Sequence, residues 1–249
     1  MSYDKRVALV TGGIGGIGTE ICKRLAHGAR TVVAGHLPSE QAQADEWQSM
    51  RRAEGFEIEL IAGDVSSFDS SAEMVRNVRE CFGEIDILVN CAGITRDKTL
   101  RKMEPDYWNA VLTTNLDSVF NVTRQVVESM MAQGFGRIIN ISSVNGQKGM
   151  FGQTNYSAAK AGVHGFSMAL AQEVASKGVT VNTVSPGYVE TRMTAAVPED
   201  IRNTIVAGIP LGRMAKPAEI AHAVAFLSLD ESGYITGVNL PVNGGMYMS

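Results

Sequence analysis

Short runs of β-branched and aliphatic residues recur along the chain, and between several of them apolar residues return every three or four positions. The runs are Val7–Val10, Thr31–Ala34, Ile58–Ile61, Ile85–Val89, Ile138–Ile141 and Val179–Val184, with a last one over Gly237–Val242. Most are continuously apolar rather than alternating, the pattern of strands covered on both faces. Between them, Ile17, Ile21, Cys22 and Leu25 share one helical face, and Gly28 is placed to stop that helix. Ser70-Ser71-Ala72-Glu73 reads as a capping box that opens a further helix. Long helical patterns cover 105–133 and 155–177. The alternation predicts one α/β domain spanning 1–249, with a parallel sheet of about seven strands and helices on both faces. No linker, repeat or shift in composition divides the 249 residues.

Charge narrows the partners. Lys and Arg total 22 against 26 Asp and Glu, a net charge of −4, which argues against a nucleic-acid partner. No apolar run approaches the ~20 residues of a membrane span, and the N-terminus enters the first strand without a secretory pattern. Cys22, Cys81 and Cys91 stand far apart, and His27, His36, His164 and His222 are scattered. No metal-ligand spacing results, and reduced thiols in a cytoplasmic protein are expected.

The first strand leads into Val10-Thr11-Gly12-Gly13-Ile14-Gly15-Gly16-Ile17-Gly18. Glycine between a buried strand and an amphipathic helix lets the backbone turn sharply and approach a pyrophosphate. The helix N-terminus then offers it free N–H groups. Two parsings fit: Gly13, Gly15 and Gly18 as G-x-G-x-x-G, or Thr11-Gly12-x-x-x-Gly16-x-Gly18.

Tyr156-Ser157-Ala158-Ala159-Lys160 puts a phenol and an ammonium one helical turn apart. A free tyrosine has a pKa near ~10. A nearby lysine is expected to lower it toward the working pH of a general acid–base catalyst. Ser143 follows the strand Ile138–Ile141, at the edge of a parallel sheet where ligands bind. Asn115 lies within the preceding helical pattern.

Over nearly its whole length the chain resembles the classical short-chain dehydrogenases/reductases, a Rossmann-fold family. The matching pieces, in order, are Thr11-Gly12-x-x-x-Gly16-x-Gly18, Gly63-Asp64-Val65, Asn90-Cys91-Ala92-Gly93, Asn115, Ser143, Tyr156-x-x-x-Lys160 and Pro186-Gly187. The resemblance selects the second parsing of the glycine loop. It implies that Tyr156 is the general acid, that Ser143 holds the substrate oxygen, that Lys160 binds the nicotinamide ribose, and that Asn115 supports a water relay. It also implies cofactor contacts at Gly12, Gly15, Gly16, Ile17, Gly18, Gly35, His36, Asp64, Val65, Asn90, Ala92 and Gly93, with Asn90 also tying strands together. Pro186, Gly187, Val189 and Thr191 would hold the nicotinamide end. Cys91 departs from the family's Asn-Asn-Ala-Gly, a change of packing more than of chemistry.

The second strand ends Val33-Ala34-Gly35-His36 without the acid that would bind a ribose 2′-hydroxyl. No base lies between Arg30 and Arg51 to bind a 2′-phosphate, while Glu40 and Asp45 do lie there. The residues leave NADH and NADPH open; the resemblance leans to NADPH. Within the family, Asn140–Gly149, Phe151–Tyr156, Gly93–Asp97 and Ser185–Tyr188 are similar to acetoacetyl-CoA reductases of polyhydroxyalkanoate synthesis. That likeness implies an acyl-CoA substrate lined by Asp97, Ser143, Phe151, Gln153, Tyr156, Gly187 and Tyr188. A 3-oxoacyl-(acyl carrier protein) reductase is the alternative. Its usual basic cluster reads Ala132-Gln133-Gly134-Phe135 here, although Lys177 remains at the other contact. A cofactor-binding sensor without catalysis is a third reading, opposed by the intact Tyr156 and Lys160. The segment 188–210 is a candidate substrate lid, in which Arg192 could meet CoA phosphates or simply face solvent. Val163, Phe166 and Leu170 are compatible with subunit packing, and the resemblance implies a homotetramer.

Overall fold

The computed structural model describes residues 6–28, 30–191, 194 and 199–248. Seven parallel strands form one sheet: β1 (Val7–Thr11), β2 (Thr31–His36), β3 (Glu59–Ala62), β4 (Ile85–Asn90), β5 (Gly136–Ile141), β6 (Val179–Pro186) and β7 (Asn239–Val242). Their spatial order is β3-β2-β1-β4-β5-β6-β7. The order reverses between β1 and β4, and such a switch point opens a crevice at the carboxyl ends of the strands.

The two faces carry separate cores, as the unbroken apolar runs predict. On one face Ala8, Val10, Ile87, Val89, Ile139 and Ile141 pack against α1 (Gly16–Ala26) and the helix Pro217–Leu227. On the other, Leu9, Val33, Leu88, Ile138 and Val181 pack against α3 (Phe68–Phe82), α5 (Ser118–Gln133) and α7 (Thr154–Val174). Consecutive strand residues face opposite ways, so a strand buried on both faces is mostly apolar, and its polar residues, such as Asn140 and Asn182, are hydrogen-bonded inside the fold.

The remaining helices are α2 (Gln41–Ala53), α4 (Pro105–Leu112), α6 (Val144–Lys148), α8 (Glu199–Ala207) and α9, the Pro217–Leu227 helix named above. Three expectations change. The third helix starts at Phe68 rather than Ser70, because Ser67 is its cap and accepts a hydrogen bond from the Ser70 N–H at 3.3 Å. The pattern over 105–133 is not one α-helix: a π-turn at Thr113–Asp117 separates α4 from α5. Val163 does not supply a subunit surface, since it is fully buried, whereas Leu170 is partly buried against the α3–α5–α7 core.

Candidate active site

The crevice is a cleft of about 790 Å³ that runs across the carboxyl ends of β1, β2, β4, β5 and β6. Its two ends are built by different means.

At one end the glycine loop joins β1 to α1. The Thr11 hydroxyl oxygen accepts hydrogen bonds from the Cys91 and Ala92 N–H groups at 3.0 and 3.2 Å, tying the loop to the end of β4. A Cβ at Gly18 would lie 2.2 Å from the Gly12 carbonyl oxygen, so only glycine allows the helix to start this close to the strand. The start of α1 has no side-chain cap and no acid in its first turn. Its leading N–H groups and positive dipole end are therefore open to an anion. Gly12, Gly15, Gly16, Ile17, Gly18, Gly35, His36, Asp64 and Val65 all line this end. The Asp64 carboxylate accepts from the Ser66 N–H and O–H at 2.9 and 2.6 Å. An uncapped glycine cradle, opened by a Thr-anchored loop, fits the pyrophosphate and adenosine of a nicotinamide dinucleotide.

At the other end side chains do the work. Ser143 leaves β5 and caps α6, its hydroxyl oxygen accepting from the Asn145 N–H at 3.1 Å. Tyr156 and Lys160 project from α7 into the same space, and all three line the cleft. Lys160 is buried, and its Nζ donates to the Ile141 carbonyl at 2.7 Å. The Ser142 hydroxyl donates to the Lys160 carbonyl at 2.8 Å, which fixes α7 against the end of β5. The Tyr156 N–H donates to Asn155 Oδ1, and Asn155 Nδ2 donates to the Arg96 carbonyl at 3.0 Å, so the start of α7 is held to the loop after β4.

Burial pushes the Tyr156 hydroxyl up to about 12, and Ser143's hydrogen bond, which favours the phenolate, only partly offsets this. The expected lowering by Lys160 is not seen: its Nζ lies 5.8 Å from the ring centroid, and Ser143 is the group that opposes the effect of burial. Burial also brings Lys160 down to about 8. At neutral pH the phenol therefore keeps its proton, as an acid that must give one requires.

Asn115 sits in the π-turn, fully buried beneath the cleft. Its Oδ1 accepts from the Ile94 N–H at 2.9 Å and its Nδ2 donates to the Ile94 carbonyl at 2.8 Å. With both side-chain groups engaged, a water relay at this residue is left to main-chain carbonyls, which a π-turn releases from the regular ladder. A Cβ on Gly93 would lie 2.6 Å from Asn115 Oδ1, so that glycine keeps the β4 loop, Asn115 and Lys160 in contact.

Ala92, Gly93, Gln153, Pro186, Gly187, Tyr188, Val189 and Thr191 line the cleft as expected, and Thr191 approaches Gly16 across it. Asn90 does not line it. Its Nδ2 donates to Asn140 Oδ1 at 2.8 Å and Thr123 Oγ1 at 3.1 Å, and Asn140 Nδ2 passes the chain on to Ser167. Asn90 is thus a tie between β4, β5 and α5. Asp97 is exposed at the rim and reaches the cleft through Gln153, whose Nε2 donates to it at 2.8 Å. Phe151 is 87% exposed and is not among the lining residues. Arg192 lies outside the described residues.

The sequence assigned no role to Asn145, Asn155, Gln43 or Thr194. Asn145 Nδ2 donates to Gln153 Oε1 at 2.9 Å and so orients it. Gln43 comes from α2, a helix with only Ala44 and Trp47 buried and hence a faint apolar pattern. Among the described residues no group of three His, Cys, Asp or Glu is arranged to hold a metal ion, and no helix is long and apolar enough to cross a membrane.

A Rossmann sheet, an uncapped glycine cradle and a Ser-Tyr-Lys set in one cleft define an oxidoreductase built to hold a dinucleotide beside a proton donor. The sequence profile of the short chain dehydrogenases matches residues 6–202, and the chain belongs to that family. It is 69% identical to an acetoacetyl-CoA reductase of Allochromatium vinosum, over 98% of this chain and 99% of the relative. An acetoacetyl-CoA reductase of Cupriavidus necator is 54% identical over 98% and 99% of the two chains. A 3-oxoacyl-(acyl-carrier-protein) reductase of Salmonella typhimurium is 50% identical over the full length of both.

Proposed function

We propose that the protein reduces acetoacetyl-CoA to 3-hydroxybutyryl-CoA, the (R) enantiomer by resemblance, as a step toward polyhydroxybutyrate. The observation that carries the reading is the convergence of Ser143, Tyr156 and Lys160 on one wall of a cleft whose opposite end fits a dinucleotide. The names of the relatives at 69% and 54% identity supply the substrate.

When bound, a reduced nicotinamide supplies hydride for the carbonyl carbon of the 3-oxo group. The protein's own groups manage the charge and the proton. Ser143 and Tyr156 aim O–H groups at the oxygen where negative charge develops as the ketone is reduced, a preorganised electrostatic stabilisation of the forming alkoxide. Tyr156 gives its proton to that oxygen, which becomes the product hydroxyl. The Lys160 ammonium, anchored on Ile141, stabilises the phenolate left behind and offers its remaining N–H groups to the ribose. The proton returns to Tyr156 by way of Lys160 and the main chain near Asn115. Gln153, held between Asn145 and Asp97, and Tyr188 position the acyl chain. The described part of the segment 188–210, including α8, is the proposed lid.

The lean to NADPH that the resemblance carries has no lysine or arginine behind it among the described residues at the ribose end. Subunit association into a homotetramer draws support from Phe68 and Phe120, which stack at 5.9 Å between centroids and remain 44% and 50% exposed. The setting is the cytosol, where acyl-CoA substrates and three separate free thiols both belong.

Reduction on acyl carrier protein is the second reading, favoured by the 50% identical relative. Against it, residues 132–135, at the end of α5, carry no cation to meet an acidic carrier. Steady-state rates on the same acetoacetyl group carried by CoA and by acyl carrier protein decide between them. A kcat/KM at least about tenfold higher for CoA is expected, and the reverse order would transfer the assignment to the carrier protein.

A further inference from the structure

We propose that His164 is a positioning residue for the reduction: through Ser185 it holds the turn Pro186–Gly187 at a set distance from Tyr156 and Lys160 on α7. The inference rests on the dinucleotide reading of the cleft, in which that turn holds the nicotinamide end, and it applies to either acyl carrier.

His164 follows Lys160 by one helical turn and Tyr156 by two, so the three side chains leave α7 along one side. The imidazole reaches across to β6, where its Nε2 lies 3.2 Å from the Ser185 hydroxyl oxygen. The Ser185 hydroxyl in turn donates to Asn239 Oδ1 of β7 at 2.7 Å. A hydroxyl has one proton to give, so toward the imidazole Ser185 accepts, and Nε2 carries the proton. Burial, with the Lys160 ammonium nearby, holds the His164 pKa below its ordinary value. The ring is therefore neutral at neutral pH, and its single N–H is the one engaged by Ser185.

Ser185 is fully buried and immediately precedes Pro186 and Gly187, which line the cleft. The turn is clamped to β7 from its far side. The Gly187 N–H donates to the Val242 carbonyl at 3.0 Å, and a Cβ on Gly187 would lie 2.9 Å from the Asn243 Cα. The end of β6, the turn and β7 thus form one block, and the His164 bond joins that block to the helix that carries the proton donor. A second side-chain tie between α7 and β6, from Thr183 Oγ1 to Ser167 Oγ at 3.0 Å, lies about a helical turn further from Tyr156. The β6 side holds one reacting partner and α7 the proton donor, and both must reach one carbonyl group. The spacing between the two elements therefore enters the rate.

The test compares His164→Phe, which keeps a flat ring without the donor, with His164→Gln, which keeps an N–H at a similar reach. In the full-length protein without ligands, amide hydrogen exchange over 185–189 should quicken at least about threefold in His164→Phe and change less than about 1.5-fold in His164→Gln. Turnover is then followed with acetoacetyl-CoA and a reduced nicotinamide dinucleotide deuterated at the transferring position. His164→Phe should lose at least about fivefold in kcat while KM for acetoacetyl-CoA stays within about twofold, and its primary isotope effect should be no smaller than that of the unaltered protein. His164→Gln should keep kcat within about twofold of the unaltered value. Either unchanged exchange or unchanged kcat in His164→Phe would overturn the proposal. So would a His164→Gln protein as slow as His164→Phe, or a slowed His164→Phe protein with a diminished isotope effect. If His164→Phe fails to fold, Ser185→Ala, which removes the acceptor, decides by the same measurements and limits. Failure of the acetoacetyl-CoA reading would show separately, as absent turnover in the unaltered protein with the exchange difference intact.

Discussion

At the ribose end of the cleft the chain presents main-chain groups, glycines and a short turn, whereas at the catalytic end it presents a buried lattice of side chains. Near Gly12–Gly18 and Leu37–Glu40, most of the hydrogen bonds that shape the wall have a backbone partner. Behind Tyr156 and Lys160, side chains bond the backbone at Ile141, Lys160, Ile94 and Arg96, and a further set links side chain to side chain: Asn90 to Asn140, Asn140 to Ser167, and Asn145 to Gln153 and on to Asp97. The first end can be retuned by changing one exposed or half-buried residue. The second cannot, because each buried polar group depends on its neighbour for its partner.

Substitutions at the catalytic end should have the larger effects. Lys160→Ala removes both the ammonium and the donor to the Ile141 carbonyl. It should lower kcat about 10³-fold and weaken dinucleotide binding as well. Gly93→Ala, with a Cβ only 2.6 Å from Asn115 Oδ1, should cost about 10²-fold in kcat through displacement of Asn115 and the β4 loop. A Gly93→Ala protein within threefold of the unaltered rate would show that this contact is not needed.

The pH profile sharpens the contrast further. Lys160 loses its ammonium as pH rises through about 8, while Tyr156, at about 12, keeps its proton. The reduction rate should therefore fall above about pH 8 with one group titrating, and the limb should belong to the lysine. Stability moves the other way. The folded lysine has a lower pKa than the unfolded one, so its contribution opposes folding below about 8. That opposition is relieved between about 8 and the ordinary lysine value near ~10.5. The smallest effect on turnover is expected from Asn140→Ala, which unties β4, β5 and α7 without touching the cleft. It should reduce stability by about 1–3 kcal/mol in denaturant unfolding while kcat at low temperature stays within about threefold.

The inner strands were legible because they are covered on both faces and so are mostly apolar, whereas the edge strands β3 and β7 are only partly buried. The Ser-Tyr-Lys set was legible because a turn of helix brings Tyr156 and Lys160 to one side, and because a serine after a buried strand stands at the crevice. What could not be read is what depends on contacts across the fold. The rise of the tyrosine's pKa comes from burial that no spacing reveals. Asn90 was expected both at the cofactor and as a tie between strands; the tie is present, through its bond to Asn140, while the cleft contact is not. The π-turn left the 105–133 pattern looking like one helix, since a single added residue hardly disturbs an apolar periodicity. Phe151 sat in the right motif, but the loop between α6 and α7 leaves it facing solvent.

The proposed reduction requires the Tyr156 phenol as proton donor in a cleft that holds the dinucleotide by other groups. The direct measurement is a paired one on Tyr156→Phe: nicotinamide absorbance loss with acetoacetyl-CoA, and cofactor affinity by fluorescence. Turnover should fall at least about 10³-fold while the dissociation constant changes less than about threefold. A variant that keeps more than a few per cent of the rate, with cofactor bound as before, would contradict it.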